Sequence, residues 1–149
     1  MANESITDNE IAELVQRAAE ANTALICGDI SGYLALITHA EDYTLMAPFG
    51  GAPTHGFDTS SEHMAALARF FKAGKSELEL VQTYAGDMVV LVIIERQRCE
   101  IGDLPEQDWS LRVTLVFRRE GSEWLLVHRH ADPLVNSISV ERVAVIARG

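Results

Sequence analysis

The stretch WSLRVTLVFRREGSEWLLVHRHAD, residues 109–132, decides the fold class. Apolar side chains stand at every second position of its first half: Trp109, Leu111, Val113, Leu115 and Phe117. A period of two is typical of a strand with one buried face. Glu120-Gly121-Ser122 predicts a turn, and a second strand then runs from Trp124 to Asp132, where Pro133 ends it. The segment is therefore predicted to be an antiparallel hairpin.

A second predicted hairpin precedes it. Alternation from Glu77 to Ala85 indicates a strand, and Gly86-Asp87 is a two-residue turn signal. The next strand, Met88 to Cys99, is apolar on both faces in its first half. Such a strand is expected to lie in the centre of a sheet that is covered on both sides.

Helical signals fill the first half of the chain. Thr7 and Glu10 form a capping box for a first helix that Gly28 ends, and Asp29 caps a short second helix. Thr59 and Glu62 predict the start of a third helix. The remaining predicted elements are a short strand from Tyr43 to Ala47, the end of the third helix at Gly74, and a C-terminal helix within Ser139–Ala147.

Helices first and hairpin-linked strands afterwards indicate an α+β fold, in which helices cover one face of the sheet. We expect one domain over residues 1–149, with residues 1–7 and 135–149 peripheral. The other apolar face of the sheet also needs cover, and a homodimer interface would supply it.

Composition restricts the partners. The formal net charge is −10, and no basic stripe with interleaved aromatics occurs, so nucleic acid and anionic membranes are poor candidates. The longest apolar run, Met88–Ile94, is far shorter than the roughly 20 residues of a membrane span. With no secretory signal at the N-terminus, a soluble cytoplasmic protein is expected. Cys27 and Cys99 are expected to be buried free thiols.

The last strand carries the first candidate site. His128, His130 and Asp132 are two residues apart, so they share one face of a strand. If that face lines a cavity, one imidazole is a proton shuttle and Asp132 orients it. The alternative is that the histidines only bond neighbouring strands or a dimer partner. A third ligand of suitable spacing is not evident, so a metal site is not predicted.

Further candidates are ligand-binding residues. Arg112 lies on the polar face of its strand, and Glu95 on the adjacent strand is its expected partner, either as a structural ion pair or as an anchor for a ligand oxygen. The other candidates are His55 in a loop, with Tyr33 and Trp109 as cavity walls. Without a GxGxxG, P-loop or GxSxG motif, no cofactor is predicted.

Three stretches resemble the nuclear transport factor 2-like superfamily, in particular its SnoaL-like branch, over residues 8–134. They are GDISGYLALITHAEDYTLMAPFGG (28–51), SSEHMAALARFF (60–71) and LRVTLVFRREGSEWLLVHRHADP (111–133). The last also resembles the end of the calcium/calmodulin-dependent kinase II association domain, where His128 and His130 match histidines. The resemblance implies a cone-shaped curved antiparallel or mixed sheet, with three N-terminal helices on its concave face and an interior cavity.

The same resemblance leaves the function open, because the superfamily includes isomerases, dehydratases, cyclases and assembly modules. Ala47 stands where steroid isomerases carry the general-base aspartate, and Ala21 falls near their oxyanion-hole tyrosine. We therefore expect a small-molecule pocket with cofactor-free acid–base chemistry that uses other residues. The alternative is a non-catalytic ligand-binding or oligomeric assembly module.

Overall fold

A computed structural model describes residues 6–149 as four helices and seven strands. The helices are α1 (Asp8–Ile26), α2 (Ile30–Leu36), α3 (Ser61–Phe70) and α4 (Val140–Ala147). The strands are β1 (Thr38–Met46), β2 (Thr54–His55), β3 (Phe71–Ala85), β4 (Met88–Ile101), β5 (Leu104–Asp108), β6 (Leu111–Glu120) and β7 (Glu123–Pro133). The α+β fold class predicted from the sequence is confirmed.

Local capping signals set the helix boundaries. The Thr7 and Glu10 capping box is present at the start of α1, and the Asp29 carboxylate accepts a hydrogen bond from the Gly32 backbone at the start of α2. For α3 the prediction is wrong by one residue. Ser60, rather than Thr59, is its N-cap, and its hydroxyl accepts from the His63 backbone at 3.2 Å.

The strands form one mixed, curved and unclosed sheet in the order β2-β1-β7-β6-β4-β3. Both predicted hairpins, β3–β4 and β6–β7, are antiparallel pairs in it. Two features go beyond the predictions. β1 pairs with β7 in parallel, and the polar segment after β4 folds back on it as β5.

The core lies between α1, α2 and one face of the sheet, which we call the inner face. Side chains from both layers form one buried cluster: Leu14, Ala18, Ala21, Tyr33, Leu91, Val113, Leu115, Phe117 and Leu126, with others. The expectation that three N-terminal helices cover this face needs a correction. Helix α3 has no buried residue and lies at the open end of the layers. Among residues 6–149, no helix is both long and apolar enough to span a bilayer.

A β-bulge interrupts the β6–β7 pairing. Phe117 pairs with Leu126, but the preceding residue of β6, Val116, pairs with His128, so Val127 is an extra residue in β7. An extra residue reverses the alternation of faces beyond it. Leu126 therefore faces the core, whereas His128 takes the outer face and Arg129 the inner face.

The C-terminal end of α1 packs directly against β3 at Gly74. A Cβ atom added to Gly74 would lie 2.4 Å from Ile26 Cγ1 and 2.6 Å from the Ile26 carbonyl oxygen. Only a residue without a side chain permits this approach. Nearby, the Cys27 thiol lies 3.0 Å from the Gly74 carbonyl oxygen. Cys99 is buried as expected, but Cys27 is exposed, which corrects the prediction of two buried thiols.

We expect Gly74→Ala to destabilise the fold by about 1–3 kcal/mol, because overpacking forces the helix away from the strand. Gly86→Ala is the matched control, since nothing lies within 4 Å of the added Cβ. Urea unfolding followed by circular dichroism measures both variants. Equal midpoints for the two variants would contradict the contact.

Candidate functional site

A cavity of about 600 Å³ opens between the inner face of the sheet, α1, α2 and α3. Most of its lining is apolar or aromatic, with contributions from Leu25, Ile26, Leu45, Ala47, Phe57, Leu67, Phe70, Phe71, Trp109 and Leu111. A few polar side chains converge on it, which is the usual composition of a small-molecule pocket.

A buried ion pair lies at the deep end of the cavity. Arg129 donates from both terminal nitrogens to the two carboxylate oxygens of Glu95, at 2.9 and 2.7 Å. Although burial lowers the pKa of Arg129, the neighbouring carboxylate more than compensates and holds that pKa above its usual range. The two opposite charges of this ion pair cancel. Arg129 is also part of the cavity lining.

Two tyrosines from α2 and β1 reach the same region. Burial raises the pKa of Tyr33 above its usual range and that of Tyr43 to about 12, so both phenols are protonated at neutral pH. The Tyr33 hydroxyl lies 2.9 Å from His39 Nε2, and the His39 ring stacks on Phe57 with centroids 3.8 Å apart. His39 thus holds the Tyr33 hydroxyl by a hydrogen bond without lining the cavity itself.

A pair of side-chain amides forms another polar wall. Asn22 on α1 donates from Nδ2 to Gln97 Oε1 on β4 at 2.7 Å and to the Ser76 hydroxyl at 3.0 Å. The Ser110 hydroxyl accepts from the Gln97 backbone at 3.1 Å, which fixes the strand at that point. Both amides line the cavity.

Titratable groups also stand at the mouth. His55 on β2, Asp58 in the following loop and His63 on α3 all border the cavity. Hydrogen bonds from Ser60, with a smaller contribution from His63, hold the pKa of Asp58 below its usual range. Asp58 is therefore a carboxylate at neutral pH, close to an imidazole.

An aromatic lip completes the mouth. Phe49 lies in the loop after β1, with its ring centroid 5.8 Å from Trp109 and 6.0 Å from Phe70. Phe49 is 62% exposed, so its ring is open to solvent on one side and to the cavity on the other.

Of the residues predicted from the sequence, Tyr33, Trp109 and His55 line the cavity. Glu95 reaches it only through its contact with Arg129. It lines instead a small recess of about 40 Å³ beneath Tyr33 and Arg129.

The candidate catalytic residues lie elsewhere. His128, His130 and Asp132 share one face as predicted, with the two imidazole centroids 6.3 Å apart and His130 Nε2 3.5 Å from Asp132 Oδ1. That face is the outer one, because these residues pair with Val116, Thr114 and Arg112. The expectation that the imidazoles point into the cavity is therefore wrong, and the bulge at Val127 is the reason.

His128 has a structural contact on that outer face. Its Nδ1 lies 3.1 Å from the Thr44 carbonyl oxygen and 2.8 Å from the Thr44 hydroxyl. Because a carbonyl oxygen only accepts, Nδ1 carries the proton and the imidazole ties β7 to β1.

The predicted Arg112–Glu95 ion pair is also wrong. In the β4–β6 register Arg112 is opposite Ile94, and Glu95 is opposite Leu111, so the two charges face opposite sides of the sheet. Arg112 instead lies on the outer face, 3.8 Å from Asp132, where both side chains are largely solvated.

Several cavity residues were missed, although the sequence contains a signal for some of them. Asn22 interrupts the apolar stripe of α1, and Gln97 continues the inward row of β4 that passes through Ile93 and Glu95. Polar residues at core positions indicate either a buried network or a site. The sequence contains no such signal for Arg129, since regular alternation along β7 from Leu126 places it on the outer face.

The composition of the site gives no indication of a bound metal. Among residues 6–149, no group of three or more histidine, cysteine or acidic side chains is arranged to hold an ion.

The fold agrees with the comparisons with known proteins. A family model for the SnoaL-like domain matches residues 11–135, and the chain belongs to that family. The comparison with curated proteins gave no significant match.

Solved structures with the same fold have varied descriptions. A provisionally assigned dehydratase of the NTF2-like family from Streptomyces avermitilis is 20% identical, with a TM-score of 0.67 over 87% of this chain and 99% of that one. An NTF2-like protein from Cytophaga hutchinsonii is 13% identical, with a TM-score of 0.62 over 87% and 100%. The calcium/calmodulin-dependent kinase II hub homology domain from Chlamydomonas reinhardtii is 17% identical, with a TM-score of 0.59 over 84% and 98%. At these identities the likeness shows the fold alone.

Burial of His39 predicts a pH dependence of stability. Desolvation lowers the pKa of His39 to about 4, whereas in the unfolded chain it lies near its ordinary value of 6.5. The unfolded state therefore binds more protons between these values, and stability falls as the pH falls from about 6.5 to 4. We expect protonation of His39 in the unfolded chain to lower the free energy of unfolding by about 1–2 kcal/mol at pH 5.

His39→Gln should retain an acceptor for Tyr33 and should reduce the loss of Tm between pH 7 and pH 5 by about 2–4 °C. Ser122→Gln, in the exposed β6–β7 turn, is the control, because it removes no titratable group and should keep the pH dependence of the unmodified protein. Thermal melts at several pH values measure this, and identical slopes in both variants would contradict the assignment.

Proposed function

We propose that this protein binds a small, uncharged and largely apolar organic molecule in the cavity. The observation that carries the proposal is a predominantly apolar cavity in which the deep cation Arg129 is already neutralised by Glu95 in bidentate contact. A ligand carboxylate would have to compete with that contact, whereas an uncharged ring loses little on leaving water. The protonated Tyr43 hydroxyl suits a ligand oxygen that accepts a hydrogen bond.

Cofactor-free acid–base chemistry at the mouth is the finer part of the proposal. Proton transfer needs a group that is within reach of the ligand and exchanges protons near neutral pH, for which histidine is the usual choice. His55 and His63 border the cavity, and Asp58 is available to orient an imidazole. The description of one structural neighbour as a provisional dehydratase supports this class of reaction without identifying a substrate.

The binding proposal is tested by filling the cavity. Ala47→Trp places an indole in the lining, and we expect it to weaken binding of 2-naphthol at least tenfold in isothermal titration calorimetry. Ala52→Trp is the matched control, because Ala52 is exposed in the same loop and does not line the cavity. The unmodified protein should bind 2-naphthol more tightly than 2-naphthoate, since Arg129 has no free charge to offer.

Two results would contradict the proposal. One is equal binding of 2-naphthol by the two tryptophan variants. The other is a clear preference of the unmodified protein for the naphthoate anion.

A second candidate function is assembly, supported by the outer face of the sheet. Its centre is made of apolar side chains of β4 and β6, namely Val90, Val92, Ile94 and Val116, and Tyr84 beside them is 60% exposed. An apolar sheet face of this kind is typical of an interface between identical subunits. The likeness to an association domain homologue from Xanthomonas campestris, 13% identical with a TM-score of 0.59, is consistent with it.

We therefore expect the protein to sediment as a homodimer or larger assembly in analytical ultracentrifugation, and Val92→Arg to shift it to the monomer. A charge in the middle of an apolar interface is costly to bury. Ser122→Arg, in the exposed β6–β7 turn, should leave the assembly intact. A monomer at about 100 µM for the unmodified chain, well above the Kd of a stable interface, would refute the assembly role.

A further inference from the structure

The Asn22–Gln97 amide pair has hydrogen-bonding capacity that its protein contacts do not use. Both residues are nearly buried, at 6% and 5% exposure. Asn22 Nδ2 serves Gln97 Oε1 and Ser76, and the Ser76 hydroxyl also donates to Gln97 Oε1 at 3.3 Å. Within the part of the chain that the structure describes, Asn22 Oδ1 and Gln97 Nε2 have no hydrogen-bond partner.

These two atoms are not sealed in the core. Neither Asn22 nor Gln97 has a side-chain nitrogen or oxygen that is both fully enclosed and without a hydrogen-bond partner. Asn22 Oδ1 and Gln97 Nε2 therefore retain accessible surface, and both residues line the cavity. A polar atom that faces a mostly apolar cavity without a partner is costly to leave unsatisfied.

The pair leaves one acceptor and one donor without a protein partner. Two amides joined by a single N–H···O contact always leave over one carbonyl oxygen and one amino group. This remains true if both amides are turned over together, since the roles then exchange between the two residues. Either assignment therefore selects the same ligand edge, but the residue that supplies the acceptor differs, and here it is Asn22.

The wall is also rigid. Gln97 is held through its backbone by the Ser110 hydroxyl and by the Trp109 amide, which donates to the Gln97 carbonyl at 2.9 Å. Asn22 is fixed by Ser76, the β3 residue directly opposite Gln97. A preorganised donor and acceptor lose little entropy when a ligand binds.

We infer that the ligand carries a secondary amide edge, an N–H beside a C=O, as in a lactam or an uncharged heterocyclic amide. Its N–H would donate to Asn22 Oδ1 and its carbonyl would accept from Gln97 Nε2. A carboxylate, ketone, ester or ether offers acceptors only and would leave Asn22 Oδ1 facing another oxygen. This inference rests on the proposed binding function and specifies the ligand class for the same cavity.

Two bicyclic probes of equal size test it. In 2-quinolone a lactam N–H stands where coumarin has a ring oxygen, and the two molecules otherwise share their shape and carbonyl. NMR titration of the full chain gives both dissociation constants. We expect 2-quinolone to bind at least fivefold more tightly than coumarin, because a site built around a hydrogen bond discriminates against the analogue that lacks it.

Two variants separate the atoms involved. Asn22→Leu should bring the ratio of the two dissociation constants close to one, since it removes the acceptor. Gln97→Met should weaken both probes by a similar factor and keep the ratio, since both lose the same carbonyl contact. In Gln97→Met, Asn22 keeps Ser76 as a partner, so this variant remains informative if Asn22→Leu fails to fold, which circular dichroism would reveal.

The outcomes distinguish failure of the amide inference from failure of the proposed binding function. Equal binding of the two probes by the unmodified protein would overturn the amide inference and leave the binding function standing. A fivefold ratio that persists in both Asn22→Leu and Gln97→Met would also overturn the amide inference, because neither amide would then be the acceptor. Failure of both probes to bind at millimolar concentration would overturn the amide inference and count against the binding function as well.

Discussion

The contact between Glu95 and Arg129 joins two strands that are not neighbours. Glu95 is on β4 and Arg129 on β7, and β6 runs between them. The Glu95 side chain is 2% exposed and that of Arg129 18%. Removing two charges from water is costly unless each satisfies the other in good geometry, and breaking such a pair typically costs 3–5 kcal/mol. The neutrality of the deep end of the cavity depends on this contact.

The ion pair depends in turn on the bulge at Val127. With regular alternation after Leu126, His128 and His130 would face the core and Arg129 would face outwards. The extra residue reverses this order, so the guanidinium meets Glu95 and the imidazoles meet β1 and solvent. One irregularity in one strand therefore decides which chemistry the cavity contains.

This explains how far the sequence alone could predict the molecule. Helix caps at Thr7, Glu10 and Asp29 are local, since each depends on residues within one helical turn, and they were predicted correctly. The alternation of β6 and the hairpin turns are local too. The bulge is not local, because it arises from the register between β6 and β7, and β1 is itself irregular between His39 and Thr44 beside it. Alternation counted along β7 alone could not detect that register. The sequence therefore predicted the fold correctly but assigned the residues of β7 beyond Leu126 to the wrong face of the sheet.

The two positions that depart from the steroid isomerase pattern point to the same separation of fold and function. Ala47 lines the cavity and Ala21 is buried in the core, so neither position carries the polar group expected of that chemistry. Small residues there leave space, and the polar groups come instead from Asn22, Gln97 and the two tyrosines. These polar groups thus occupy the enclosed end, while His55, His63 and Asp58 are at the open end. A rigid, preorganised wall favours selectivity at the enclosed end, and groups near solvent can exchange protons with water. Under the proposed function, the cavity therefore separates selection of a ligand from the chemistry performed on it.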